Sequence, residues 1–370
     1  VRLIYFTRDY SPHDERFLKV LSNSEYKVFL LRLDGKNLAS RGFEIPAEIS
    51  EISWKTSSQM RSKGSIEELK FELAQIFREV KPDLVHAGPL PDCAYLTALA
   101  GFHPLVAMSW GYDLMHDVDQ SIEIWQKVKT TLVASGALLV DCRATAEKAT
   151  RMGFPAEKII NFPWGVDLDH FSPGNGSELR KKVGWENNYI LLCNRSWEPR
   201  YGVDIVLKAF FEAHSKKNDL RLILVGDGSL AGEFNAIVAE ADAEKLIHRP
   251  GRISLKELPD YYRAANLFVS ASHVDGSSVS LLEAMACGKA VAVSDIPANL
   301  EWVQSGINGW IFRDGDIDDL ALVMVQSSLS ISQLGKMGSQ NRKVVEQKAD
   351  WKKNSLQLFN AYNLAKEGLR

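Results

Sequence analysis

Two carboxylates eight positions apart, Asp275 and Glu283, bracket the small polar run Gly276-Ser277-Ser278-Val279. The apolar residues 267–270 predict a buried strand. Val279, Leu282 and Ala286, with Leu281 and Met285, recur at helical spacing through residues 278–287, and Gly288 closes that helix. A second strand is expected at 290–294. Between the first strand and the helix, small side chains let backbone approach a ligand, and the first N–H groups of the helix have no partner within it. That combination makes an anion site, for which a phosphate is the natural occupant. Read without a ligand, the same residues are a helix-side cap at Asp275, a solvated Glu283 and an ordinary turn.

An anion site needs cations, because a unit charge pair at 4 Å contributes roughly 4 kcal/mol at an effective dielectric of 20. The strand expected at 188–193 runs into Asn194-Arg195-Ser196-Trp197-Glu198-Pro199-Arg200-Tyr201-Gly202, with a helix from about Val203. Arg195 and Arg200 can supply positive charge there; the plainer alternative is a surface arginine paired with Glu198.

Other motifs exclude chemistry. Gly226-Asp227-Gly228-Ser229-Leu230-Ala231 fits the dinucleotide fingerprint in form only. It does not follow the first strand of its domain, and the next strand, at 246–249, leads into Arg249, Pro250, Gly251 and Arg252 where a nicotinamide site wants an acidic residue. No cofactor is expected. Among the acidic pairs, Asp117 and Asp316 read as helix caps and Asp167 as part of a connector, so no metal is expected. Residues 276–280 lack the second glycine of a nucleophile elbow.

A chain of 370 residues, 45% apolar and 25% charged, fits two ordinary folded domains. A formal charge of −3 gives no global field for nucleic acid. Cys93, Cys142, Cys193 and Cys287 lie singly in apolar runs and read as reduced core residues of a cytoplasmic protein. The chain opens directly into Leu3-Ile4-Tyr5-Phe6, so no signal peptide is expected, and no apolar run reaches the roughly 18 to 20 residues of a membrane span. Lys55, Arg61 and Lys63 form a loose basic cluster followed by Glu67 and Glu68; it reads as a solvated loop and leaves peripheral contact with the inner face of a membrane open.

Strand and helix patterns alternate from end to end, the signature of parallel sheets covered by helices on both faces. In the first half strands are expected near 2–7, 27–33, 83–87, 104–109, 136–141 and 158–162, with helices near 14–22, 66–80, 91–100, 118–134 and 143–152; residues 34–64 read as loop with one short strand. The breakers Gly174-Asn175-Gly176-Ser177 read as a linker. A second series follows, with strands near 188–193, 220–225, 246–249, 266–270 and 290–294. The expected domains are 1–170, 171–350 and a terminal helix over 351–366, within a segment 351–370. The fold class is α/β, two Rossmann-like doubly wound domains whose strand ends meet at a cleft.

The stretch 265–294, with Asp275, Ser277 to Val279 and Glu283 at this spacing, resembles the donor-site signature of the family 4 retaining glycosyltransferases, the glycosyl transferases of group 1. The family usually has Glu at the first position, and this chain has Asp275. The resemblance implies that Asp275 touches hydroxyls of the transferred sugar, that Gly276, Ser277, Ser278 and Val279 hold the diphosphate, and that Glu283 grips the ribose. Arg195 matches the arginine of the family's Arg and Lys pair; Tyr201 stands where the lysine is usual, which makes Arg200 the substitute. Residues 225–228 resemble the family's Val-Gly-Asp-Gly turn, and Gly251, Arg252 and Ile253 its loop beneath the base. Trp110 stands where many members carry a His, so Trp110 or Asp113 is expected to shape the sugar pocket. The loop 9–14 lacks the usual glycine pair and falls on the acceptor side, with His13 a polar loop residue. The terminal helix is expected to return to the first domain.

The implied fold is GT-B. The implied reaction moves a sugar from a nucleotide diphosphate sugar donor to a glycan, lipid-linked or small-molecule acceptor, with retention and without metal, most commonly in polysaccharide or lipopolysaccharide assembly. Tyr201 and Trp110 also leave room for a binding protein without turnover, and the fold for a nucleotide-sugar epimerase.

Overall fold

The computed structural model describes residues 1–34, 44–54 and 65–367, so Lys55, Arg61 and Lys63 lie outside the described residues. The chain divides into two compact units, Val1–Phe162 with the segment from Ser355, and Pro163–Asn354.

Among the described residues the first unit holds seven strands: β1 (Arg2–Thr7), β2 (Lys27–Arg32), β3 (Ser50–Ile52), β4 (Leu84–Gly88), β5 (Leu105–Met108), β6 (Ala137–Val140) and β7 (Ile159–Asn161), in the order β3-β2-β1-β4-β5-β6-β7. Every pairing is parallel. The reason is legible in the strands: β4, β5 and β6 are buried along their whole length, as strands with helices on both faces must be.

The second unit holds β8 (Tyr189–Asn194), β9 (Leu220–Val225), β10 (Ile247–Gly251), β11 (Leu267–Ser270), β12 (Ala290–Ser294) and β13 (Gly309–Phe312), ordered β10-β9-β8-β11-β12-β13 and again parallel. The chain builds outward from β8 in one direction, then returns to its other side with β11. The loops that leave the carboxyl ends of β8 and β11 therefore diverge, which is where open α/β sheets bind ligands. The helix Val203–Lys216 buries Val203, Val206, Leu207, Phe210 and Ala213, a stripe at helical spacing, and packs on the helix Ile317–Leu329.

Four departures from the sequence reading have local causes. The expected terminal helix is two: Trp351–Asn354 belongs to the second unit and Gln357–Glu367 to the first, with Ser355 buried between them and Leu356 exposed. The expected helix over 118–134 begins only at Ile122, where Ser121 caps it by accepting from the Ile124 N–H, and Asp117–Asp119 is a separate turn. Residues 163–170 go with the second unit because Val166 bonds the backbone of Ala349 and Trp351. Strand β13 is not among the expected strands, because Gly306, Asn308 and Gly309 punctuate this stretch as a loop does.

The helix Gln357–Glu367 buries Leu358, Ala361, Tyr362 and Ala365 against β5, β6 and β7. Gly136 permits the approach, since a Cβ there would stand 3.1 Å from the Ala365 backbone. Tyr362 ends in a hydrogen bond of 2.8 Å with His86 Nδ1, and burial pushes His86 down to about 3.

This pair gives stability a pH dependence of defined sign. Folded His86 stays neutral down to about 3, whereas the unfolded chain binds a proton near the ordinary value of 6.5. Across that window the unfolded state binds more protons, so this contribution falls as pH drops. In the double variant His86→Leu with Tyr362→Phe, both partners become apolar. Urea unfolding should show wild type losing stability relative to it as pH is lowered from 6.5; a difference independent of pH would contradict the assignment.

Candidate active site

Arg195 is the first residue past β8 and lies almost wholly inside the unit, its side chain 10% exposed. A buried guanidinium has to be matched, because an unpaired buried charge is costly. Its match comes from the loop beyond β11. One terminal nitrogen donates to Asp275 Oδ2 at 2.5 Å; the other donates to Ser278 Oγ at 2.7 Å and Ser280 Oγ at 3.0 Å. Burial is the largest single influence and lowers the Arg195 pKa, but the charge of Asp275, joined by the smaller effects of Tyr201, Cys193 and Tyr262, outweighs it and holds the guanidinium above its ordinary value. Burial pushes the Asp275 carboxyl up, and Arg195, the Ser278 hydroxyl and the Gly276 N–H oppose that push.

Ser278 stands at the N-cap of the helix Val279–Ala286 without capping it through its side chain. Its hydroxyl oxygen accepts from Arg195 instead. The helix start is thus left with uncapped N–H groups beside a cation, the electrostatic requirement for an anion.

Glu283, on the same helix, is buried. Its Oε2 accepts from the Tyr262 hydroxyl at 2.7 Å, and that hydroxyl in turn accepts from Asn194 Nδ2 at 2.9 Å. Tyr262 belongs to the helix Leu258–Ala264, Asn194 to the end of β8. The two residues fix one oxygen of Glu283, and no spacing in the sequence links them to it.

Gly202 decides how closely the two loops approach. Its φ is 57°, and a Cβ there would fall 2.0 Å from the Ala271 carbonyl oxygen. Only glycine lets the turn after β8 press onto the backbone after β11.

The remaining expected residues are sorted by this geometry. Arg200 is exposed on the single turn Pro199–Tyr201, its carbonyl accepting from the His273 N–H at 3.0 Å. The ring over the Arg195 guanidinium is that of Tyr201, 4.2 Å away. Glu198 binds the Ser229 N–H and hydroxyl at 3.0 and 2.6 Å rather than Arg195. The turn at Gly226 meets the loop at Gly251 through a Gly226 N–H to Gly251 carbonyl bond of 3.0 Å; Arg252 is exposed, 3.8 Å from Asp227, and Ile253 packs partly on the core.

In the first unit Asp113, one of the two residues expected to shape the sugar pocket, is engaged within its own loop. Asp113 has no exposed surface, and its carboxylate accepts from Ser109 Oγ at 2.5 Å and from the N–H groups of Leu90, Trp110 and Leu114 at 3.0, 3.3 and 2.9 Å. It fixes the loop that carries Trp110, whose ring meets His13 edge-on at 5.7 Å. Asp117 caps no helix and instead bonds His116 Nδ1 at 2.9 Å, while Asp316 does cap Ile317–Leu329 through the Asp319 N–H at 3.0 Å. Among the described residues no three His, Cys, Asp or Glu side chains gather as a metal site would need.

Residues 176–343 match the family described as Glycosyl transferases group 1, and residues 2–140 match Glycosyl transferase 4-like. The chain belongs to the group 1 glycosyltransferases. It is 25% identical over 294 residues to the GDP-mannose-dependent monoacylated alpha-(1-6)-phosphatidylinositol monomannoside mannosyltransferase of Corynebacterium glutamicum, covering 75% of this chain and 76% of that one. Anabaena HepE, solved with UDP-glucose, superposes with a TM-score of 0.81 at 18% identity over 98% of this chain and 99% of that one. Sucrose-phosphate synthase from Thermosynechococcus elongatus gives 0.79 at 17% identity, over 98% of each chain. The fold of this glycosyltransferase is therefore GT-B, each unit a Rossmann-like sheet.

Gly202→Ala should destabilise the protein by at least about 2 kcal/mol, since a positive φ and a clash with backbone act together. Urea denaturation reads the loss; a change below about 0.5 kcal/mol would mean that the two loops do not meet as described.

Proposed function

We propose that this glycosyltransferase moves a sugar, with retention and without a metal, from a nucleoside diphosphate sugar to a glycan or lipid-linked acceptor. The single observation that carries the reading is Arg195, paired with Asp275 at 2.5 Å, at the uncapped start of the helix Val279–Ala286. The donor's diphosphate takes the position beside Val279 where it meets both the helix N–H groups and Arg195. As the anion arrives it shares the guanidinium with Asp275, whose carboxylate is then free to accept from hydroxyls of the sugar.

The chemistry balances without a protein base. The bond from the anomeric carbon to the diphosphate oxygen breaks, and its electron pair stays on that oxygen, where Arg195 and the helix start stabilise the new charge. The acceptor hydroxyl oxygen bonds the anomeric carbon on the same face, and its proton passes to the departing oxygen. Glu283, with one oxygen held by Tyr262, accepts from the ribose hydroxyls. Gly251, Arg252 and Ile253 border the base.

The donor class is supported by the relatives, one GDP-mannose-dependent and one solved with UDP-glucose. The Corynebacterium relative's phosphatidylinositol mannoside supports a lipid-linked acceptor, hence work at the inner face of a membrane and a place in envelope glycan or polysaccharide assembly. Among the described residues no helix is long and apolar enough to cross a membrane. A second reading, a binding protein without turnover, is favoured only by Tyr201 standing where the family has a cation.

A screen of UDP- and GDP-hexoses by thermal shift identifies the donor, because a ligand present at 100 times its Kd adds about 2.7 kcal/mol to stability. With that donor, Arg195→Ala should lower transfer or donor hydrolysis about 100-fold or more. Loss of only a few fold would overturn the charge-stabilising role, and binding without any product would favour the second reading. Proton NMR of the first product should show the donor's anomeric configuration, in EDTA as without it; inversion, or loss of activity in EDTA, would contradict retention or metal independence respectively.

A further inference from the structure

The group 1 pattern divides the positive charge of the leaving-group site between an arginine and a lysine, and this chain has Tyr201 at the second position. Around Asp275, Ser278 and Ser280 the hydrogen bonds and ion pair involve Arg195 and no other cation among the described residues. Arg200 lies exposed on the turn beside them. The contacts to Asp275, Ser278 and Ser280 therefore turn on how the Arg195 guanidinium is oriented.

Orientation is what Tyr201 supplies. The guanidinium carbon of Arg195 sits 4.2 Å from the centre of the Tyr201 ring, so the ring covers one face of the cation while the two terminal nitrogens reach out in plane to Asp275 and the serines. The third nitrogen, Nε, is buried and makes no hydrogen bond, which leaves the ring and the terminal contacts to hold the group. Tyr201 is itself held: its N–H donates to the Glu198 carbonyl at 3.0 Å, its side chain packs on the core, and the next residue, Gly202, is pressed against Ala271. A fixed ring under a desolvated cation defines a plane in which the guanidinium can turn from Asp275 toward an incoming anion without leaving the site.

We infer that Tyr201 is a positioning residue for Arg195, holding the guanidinium flat at the start of the helix Val279–Ala286. The inference rests on the proposed transferase reading. It concerns the π face of Tyr201, not its hydroxyl or its bulk, and that separates it from a packing role.

The test compares Tyr201→Phe, Tyr201→Leu and Arg195→Ala, measuring Kd for UDP and GDP by calorimetry, kcat and KM with the donor found in the screen, and the thermal midpoint. Tyr201→Phe keeps the ring and should stay within about twofold of wild type. Tyr201→Leu keeps an apolar side chain and should lower kcat about tenfold with a smaller change in KM, at an unchanged thermal midpoint. If Tyr201→Leu does not fold, Tyr201→Met is read in its place. A Leu or Met variant as active as wild type, or a Phe variant as impaired as Leu, overturns the positioning role while leaving the transferase reading intact, provided Arg195→Ala is inactive. An active Arg195→Ala overturns the reading beneath it.

Discussion

A guanidinium taken out of water at the carboxyl ends of two neighbouring parallel strands is the constraint that the second unit is built to satisfy. The Coulombic gain of the Arg195–Asp275 pair works against desolvation with the help of Ser278 and Ser280, which accept from the other terminal nitrogen, while Nε stays buried without a hydrogen bond. Such a pair is a poor source of stability and a good source of specificity: replacing either member strands a charge in the interior.

The rest of the second unit holds that pair in register. Arg180 ties the inner strands together from below, donating to the carbonyls of Ala264 and Asn188 and to the Asn266 side chain at 2.8, 3.1 and 2.6 Å, while Asn266 also accepts from the Ile190 N–H at 2.8 Å. At the opposite strand ends, Gly202 brings the loops together and Tyr262 links the end of β8 to Glu283. The first unit uses the same economy at another loop, where buried Asp113 gathers three backbone N–H groups and a serine hydroxyl around the turn that presents Trp110.

What could be read from the sequence was what repeats locally. Period and punctuation placed β1, β9 and β12 to the residue, and the spacing of Asp275 and Glu283 around one helix start pointed at the anion site. What could not be read depends on strand order or on the fate of single side chains. Arg195 and Asp275 meet across 80 residues because β8 and β11 are neighbours, and no spacing encodes that. Tyr262 and Asn194 were missed for the same reason. Arg200 stood in the sequence as the substitute for a missing lysine; one turn of 3-10 helix places the adjacent ring of Tyr201 over the Arg195 guanidinium. The burial of Asp113 beneath Trp110 could not be read either, because burial is invisible in a polar loop.

The most direct measurement is the position of a bound nucleoside diphosphate in a crystal structure of this chain with UDP or GDP. The diphosphate should lie at the start of the helix Val279–Ala286, its oxygens accepting from the first helix N–H groups and from Arg195, with the distance from Arg195 to Asp275 lengthened. Diphosphate bound elsewhere while Arg195 keeps its contacts to Asp275, Ser278 and Ser280 would contradict the account.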